Sequence, residues 1–212
     1  MFVIVMAGGK GTRLNMGEKP LVSLLNRPLL EWVLHSCREA AFPFLVATSK
    51  HTPYTANYCR THGYPQLQTQ GNGYISDLVE VLSEVDITGP VMTIVSDLAG
   101  LRGSHLHLVE KEYHKAGEEA CSVWVPQRLC VEHSFSYSCI EQHHGEQIVP
   151  AGINVLNGSA FDREQKEFRF VTDDPTFACN INNPSDLLSA SCFLNPRHAA
   201  SWREGPTNGD LK

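Results

Sequence analysis

Residues 1–20 read MFVIVMAGGKGTRLNMGEKP. Phe2 to Met6 form an unbroken apolar run, the pattern of a strand buried on both faces of a parallel sheet. The run ends at Ala7 in three glycines, Gly8, Gly9 and Gly11, threaded with Lys10, Thr12 and Arg13, and Lys19 follows. Glycines let backbone N–H groups turn toward an anion without side-chain interference, and open α/β sheets bind ligands beyond the carboxyl ends of their strands. The stretch therefore predicts the first strand of an α/β sheet feeding an anion-binding loop. Lys10-Gly11-Thr12 stands where a Walker loop would end in G-K-[ST], and Leu14 takes the place of the third glycine of a dinucleotide fingerprint, so neither template fits.

Outward from this strand the pattern alternates. Leu29, Leu30, Val33, Leu34 and Cys37 recur at helical spacing behind Pro28, and FPFLVAT (Phe42 to Thr48) returns as a strand. A polar helix is predicted from Pro53 to His62, a strand from Gln66 to Thr69, a helix carrying Tyr74, Leu78, Val81 and Leu82, and a strand from Pro90. Strand–helix–strand repetition implies crossover units and a mostly parallel sheet. Further on come a helix around His105 to His114, a strand from Cys121 to Pro126, and strands in VEHSFSYSCI (131–140) and VPAGINVL (149–156). Asn183 as N-cap, Pro184 at the first helical position and Asp186 in the first turn agree on a final helix start.

With 212 residues and 42% hydrophobic content the chain suits one sizeable domain. A net charge of −6 argues against a surface built for nucleic acid or anionic lipid, so any anion must be held by a local cluster. The apolar runs are strand-sized, which predicts no membrane span, and Met1 to Met6 lacks the flank and length of a signal peptide. Seven cysteines without a C-x-x-C pair read as reduced thiols in a cytoplasmic protein. Cys121, Cys130 and Cys139 fall in or beside apolar strand-like runs, which predicts burial.

Three further sites carry chemistry. Asp97 ends the apolar strand of VSDLAGL, where it either holds a magnesium ion with phosphate oxygens or caps the next turn. In QGNGYISDL, Gly71 and Gly73 permit close backbone approach, and Asp77 either pairs with guanine N–H groups or serves as a dipole partner in a first helical turn. Gly152 and Asn154, in VPAGINV, mark either a ligand against the backbone or an ordinary bulge. His143 and His144 are adjacent, with no zinc-like spacing around them, and read as solvated loop residues with diverging side chains.

MAGGKGTRL, EKPL, a strand-terminal SDL and a late NINNPSDL together resemble the nucleotidyltransferase family that includes the enzymes adding GMP to the molybdenum cofactor and the sugar-1-phosphate nucleotidyltransferases. Within it, ATSKHTPYT, GNGYISDL and VPAGINV look like the archaeal-type adenosylcobinamide-phosphate guanylyltransferases. The resemblance, which runs from Met1 to about Leu188, implies a single-domain, Rossmann-like α/β fold with a mostly parallel central sheet flanked by helices; after Leu194 the composition turns polar and rich in breakers, which predicts a domain over residues 1–194 and a loosely held tail over 195–212. The resemblance assigns Ala7, Gly8, Gly9, Gly11, Thr12 and Arg13 to the nucleotide, Arg13 and Lys19 with Asp97 to catalysis, and Asp97 to Mg2+. Gly71, Gly73 and Asp77 fall to the base and ribose, and Gly152 and Asn154 to the acceptor.

The implied reaction moves GMP from GTP to adenosylcobinamide phosphate, in cobalamin biosynthesis, with release of pyrophosphate. A different acceptor, molybdopterin or a sugar phosphate, and a non-catalytic GTP-binding regulator are the alternatives, and a homodimer is one of the assembly states left open. One departure is visible: Asn180 stands where many relatives carry a second metal-binding Asp, so a two-carboxylate site is not expected.

Overall fold

The computed structural model describes residues 1–11, 14, 16–85 and 87–195. In chain order it contains β1 (Phe2–Met6), β2 (Ser23–Leu24), β3 (Arg27–Pro28), α1 (Leu29–Glu39), β4 (Phe44–Ser49), α2 (Pro53–Thr61), β5 (Gln66–Thr69) and α3 (Tyr74–Glu84). These are followed by β6 (Pro90–Val95), α4 (Gly103–Ala116), β7 (Ala120–Pro126), α5 (Gln127–Glu132), β8 (Glu141–His143), β9 (Glu146–Asn157), β10 (Glu167–Val171) and α6 (Pro184–Leu194).

One eight-stranded sheet, ordered β10-β7-β9-β6-β1-β4-β5 with β8 added to β9, organises the chain. β1 lies between β4 and β6, parallel to both, and its Val3, Ile4 and Val5 are fully buried, as an apolar run with no polar face requires. Alternate residues of β1 feed two cores. Val3 and Val5 pack with Leu30 and Leu34 of α1 and Leu106 of α4, while Ile4 packs with Leu78 and Val81 of α3 on the opposite face. The expected α/β class with a mostly parallel sheet and flanking helices is what the chain adopts; β9, antiparallel to both β6 and β7, is the exception.

Gly152 sits where the β7–β9 register shifts, between the Ser122–Asn154 and Trp124–Pro150 pairs. Its φ is +80°, and a Cβ there would come within 2.5 Å of Val95 Cγ2. A bulge and a close strand approach thus both require glycine at this position.

Three expectations are corrected. Residues 131–140 do not form a strand: α5 runs to Glu132, Ser134 takes φ +57°, and Phe135 N–H returns to Cys130 O, burying the Phe135 ring in a turn. Cys139 is exposed, while Cys37, Cys59, Cys121, Cys130 and Cys179 are buried, and all seven thiols are free. His143 ends β8, and the positive φ values of His144 and Gly145 close a hairpin onto β9 that brings the two rings edge to face at 4.2 Å instead of letting them diverge. The α6 start is as read: Asn183 and Asp186 form a capping box with Pro184 at the first turn. Of the expected tail, residues 196–212 lie outside the described residues.

Candidate active site

The carboxyl ends of β1, β4, β5 and β6 open on one cleft of about 710 Å³. Gly8, Gly9 and Gly11 of the first loop line it, with Lys10 and Lys19 bringing positive charge that the acidic chain otherwise lacks. Gly11 has φ +57° and packs so closely on Lys19 that a Cβ would lie 2.9 Å from the lysine Cβ. The glycine therefore lets the loop fold back on the lysine. Ala7 is buried, and its N–H continues the β1–β4 ladder to Ala47 O at 2.8 Å, so that donor serves the sheet and not a ligand. Thr12 and Arg13 lie outside the described residues.

Lys19 is the hub. Its ammonium ion-pairs with Asp97 Oδ2 at the end of β6 and donates to Asn182 Oδ1 at 3.1 Å. Beside it, Glu18 accepts from Tyr54 N (2.8 Å), Thr55 N (2.6 Å) and Thr55 Oγ1 (2.6 Å), capping the start of α2 and pinning the loop's second half to it. The chain at 179–181 runs antiparallel past 97–99: Ile181 N–H donates to Asp97 O and Ala99 N–H to Cys179 O, both at 3.0 Å.

That pairing sets Asn180 opposite Leu98, one residue along from Asp97, and among the described residues Asp97 Oδ1 and Asn180 Oδ1 are the two buried side-chain oxygens without a hydrogen-bond partner. An unpaired buried acceptor costs about 1–3 kcal/mol, so each of the two oxygens is open to a cation or to a donor brought by a ligand. Mg2+ takes hard oxygen ligands, few of them from protein, and Asp97 lines the same cleft as the glycine loop. Among the described residues no group of three or more His, Cys, Asp or Glu could hold a metal, so the remaining ligands would come from the nucleotide and water. The Asp97 carboxylate is turned to Lys19, with Oδ2 in the ion pair and Oδ1 unpartnered.

On the far side, Gly71, Gly73 and Asp77 all line the cleft. Asp77 is 6% exposed, and its Oδ1 accepts from Asn72 N at 3.1 Å, holding the glycine turn in shape. Among the described residues its Oδ2 has no partner, which leaves one oxygen for a base edge. His51 lines the same cleft, with Nε2 3.2 Å from Gly71 O.

Gly152 lies in the wall of a second, smaller cavity, and Asn154 lines neither. Asn154 Nδ2 donates to Tyr74 Oη at 3.3 Å, and that hydroxyl also meets Thr93 Oγ1 at 2.8 Å. Tyr74 itself lines the main cleft, and burial raises its phenol pKa, keeping it a neutral donor. Glu18, His51, Tyr74 and Asn182 are the site residues that sequence reasoning missed. All four lie inside stretches that carried the resemblance, Glu18 in EKPL, His51 in ATSKHTPYT, Tyr74 in GNGYISDL and Asn182 in NINNPSDL, but nothing local singled them out from their neighbours.

Residues 3–174 match the family model of the MobA-like NTP transferase domain. The chain is 32% identical over 205 residues, 92% of its length and 97% of the relative's, to an adenosylcobinamide-phosphate guanylyltransferase of Methanocaldococcus jannaschii. Similar solved structures include the molybdopterin-guanine dinucleotide biosynthesis protein A of Archaeoglobus fulgidus, with a TM-score of 0.64 at 19% identity, covering 91% of this chain and 98% of that one. HddC of Yersinia pseudotuberculosis, complexed with GMP-PN, gives a TM-score of 0.68 at 14% identity over 91% of this chain and 99% of that one. At these identities the two structures speak for the fold alone.

Proposed function

The chain belongs to the MobA-like NTP transferase family, and from that premise we propose that it is a guanylyltransferase moving GMP from GTP to adenosylcobinamide phosphate. The likeness to the Methanocaldococcus jannaschii enzyme over nearly the whole of both chains supports this acceptor. One observation carries the chemistry: a lysine, a carboxylate and an amide meet at the sheet's carboxyl edge, with one oxygen each of Asp97 and Asn180 buried and unpaired.

In this reading the loop of Gly8, Gly9 and Gly11 turns its amides to the triphosphate, and Gly71, Gly73 and Asp77 border guanosine. An oxygen of the acceptor phosphate attacks the α-phosphorus, the bond to the bridging oxygen of the β-phosphate breaks, and pyrophosphate leaves. The attacking oxygen is already anionic at neutral pH, so no general base is needed. What must be overcome is repulsion between two anions, and Lys19, with Arg13 by family resemblance, supplies charge against it. Asp97 and Asn180 would hold Mg2+, which neutralises phosphate charge when bound. Residues 1–194 would form the catalytic unit, and seven free thiols suit a cytoplasmic enzyme.

The test mixes adenosylcobinamide phosphate with each of the four nucleoside triphosphates and Mg2+, following pyrophosphate and the corrinoid product. GTP should give stoichiometric pyrophosphate and corrinoid-GDP. Turnover with molybdopterin or a sugar 1-phosphate, but not with the corrinoid, would overturn the acceptor assignment.

A further inference from the structure

The second cavity, about 160 Å³, opens between the turn after α5, the Gly152 bulge of β9 and the 177–182 segment. Its polar lining residues are Ser136, Tyr137, Ser138, Asn180 and Asn182. Val125, Val149 and Phe177 are among its apolar ones. No Lys, Arg, His, Asp or Glu is among its described lining residues. Asn182 belongs to the walls of both cavities, and Asn180, whose oxygen is buried and unpaired, faces this one while Asp97 faces the main cleft. The Lys19–Asp97–Asn180–Asn182 group thus separates a large cleft from a small one.

Displacement at phosphorus is in line, so the attacking oxygen comes from the side opposite the leaving pyrophosphate. Asn182, shared by both cavities, is where an acceptor held outside the main cleft would reach a triphosphate on the glycine loop. Resting on the guanylyl-transfer reading above, we propose that the small cavity binds the acceptor's terminal phosphate together with the short aliphatic arm that esterifies it, and selects against sugar phosphates.

Size supports this: at roughly 30 Å³ per water, the cavity has room for about five waters' volume, enough for a phosphate and a few carbons but not for a macrocycle, which stays outside. The mixed lining matches. Ser138 is exposed at the cavity, with its hydroxyl as a donor. Tyr137 Oη receives a hydrogen bond from Gln127 Nε2 at 2.6 Å, which leaves the phenol's own proton for a phosphate oxygen. With no cation in the cavity wall, the phosphate's charge is met from across Asn182, where Lys19 stands. The apolar residues accept methylenes, whereas sugar hydroxyls placed against them would lose water without finding partners.

Asp186 is the positioning residue of this wall. Fully buried, it accepts from Ser136 N (2.8 Å) and Oγ (2.7 Å) and from the backbone N–H groups of Asn182 (2.7 Å) and Asn183 (3.0 Å). One carboxylate thereby sets the serine turn and the asparagine segment at a fixed separation.

The test loads the enzyme with Mg2+ and α,β-methylene GTP and measures binding of adenosylcobinamide phosphate by equilibrium dialysis, read from corrin absorbance. Propyl phosphate and glucose 1-phosphate serve as competitors. Ser138→Trp should weaken corrinoid binding by about tenfold or more, as hot-spot contacts do, with analogue affinity within about twofold as the control for folding. Ser138→Ala, which removes only the hydroxyl, should weaken corrinoid binding by a smaller factor. Propyl phosphate should displace the corrinoid from the wild type, and glucose 1-phosphate should not. Wild-type corrinoid affinity in Ser138→Trp, or equal competition by the two phosphates, overturns the proposal. If the wild-type protein binds no corrinoid, the acceptor assignment of the previous section fails, and direct propyl phosphate binding decides the subsite: binding lost in Ser138→Trp upholds it, and no binding overturns it.

Discussion

The ammonium of Lys19 is ion-paired with the carboxylate of Asp97, joining the loop after β1 to the end of β6 across the floor of the cleft. Both side chains are about 15% exposed, at 15% and 14%, so the pair is only weakly screened by solvent. The lysine therefore occupies one oxygen of the carboxylate proposed to hold the metal, and the two roles of Asp97 are coupled.

Removing the lysine should act in opposite directions on two measurements. Lys19→Ala is expected to lower turnover by about 10²-fold or more, the usual scale for one preorganised charge contact. The same variant, without nucleotide, should bind Mn2+ more tightly than the wild type, because Asp97 loses its cationic partner. Steady-state kinetics and Mn2+ titration followed by electron paramagnetic resonance check the pair. Near-normal turnover would remove Lys19 from the mechanism.

Asp97→Asn and Asn180→Asp should shift the Mg2+ dependence of the reaction in opposite senses. A carboxylate binds Mg2+ more strongly than an amide, so the first substitution should raise the half-saturating Mg2+ concentration and the second should lower it. A magnesium titration at saturating GTP reads both. Unchanged curves would show that the two unpaired oxygens are not ligands.

Asp186→Ala leaves four donors without their acceptor in a buried site. At about 1–3 kcal/mol for each unsatisfied buried group, partly relieved by water, a loss of several kcal/mol is expected. Asp186→Asn should cost less while raising the acceptor KM more than the GTP KM, since the wall it positions faces the acceptor. Urea denaturation and two-substrate kinetics test this; equal rises in both KM values would make the residue purely structural.

Acid stability should depend on Asp174. Its hydrogen bond from His105 Nε2, 3.2 Å away, and that from Thr176 N, 2.9 Å away, hold the carboxyl pKa down from 3.8 to about 2. His105 Nδ1 accepts from Arg102 N at 2.9 Å, which leaves Nε2 as the nitrogen that donates to Asp174. The unfolded chain binds a proton near pH 4 that the folded chain resists to about pH 2, so this contribution is complete above pH 4 and is lost as the pH falls through that window. Asp174→Asn should flatten the fall in melting temperature between pH 4 and 2. An unchanged slope would assign the acid sensitivity elsewhere.

Local patterns were legible wherever a short stretch carried its own constraint. The apolar run of β1, the Pro-led start of α6 with its capping box, and the glycines that need positive φ are decided by neighbours a few residues apart. The stretch 131–140 misled because alternating Phe135, Tyr137 and Cys139 imitate a half-buried strand. A turn from Cys130 to Phe135 instead buries only the first of these rings, and Asp186 of α6 captures Ser136. That contact spans 50 residues and leaves no mark in the local pattern.

The sequence by itself determined the α/β class, the glycine-rich loop after the first strand and the placing of Asp97 at a strand's carboxyl end. All three follow from backbone geometry over a handful of residues. Only the tertiary structure decided that Lys19 faces Asp97, that Asn180 holds a second unpaired oxygen opposite Leu98, and that Asn182 lines two cavities. Those outcomes depend on the 179–181 segment returning to pair with 97–99, and backbone hydrogen bonds between distant segments are chosen by how the whole sheet packs.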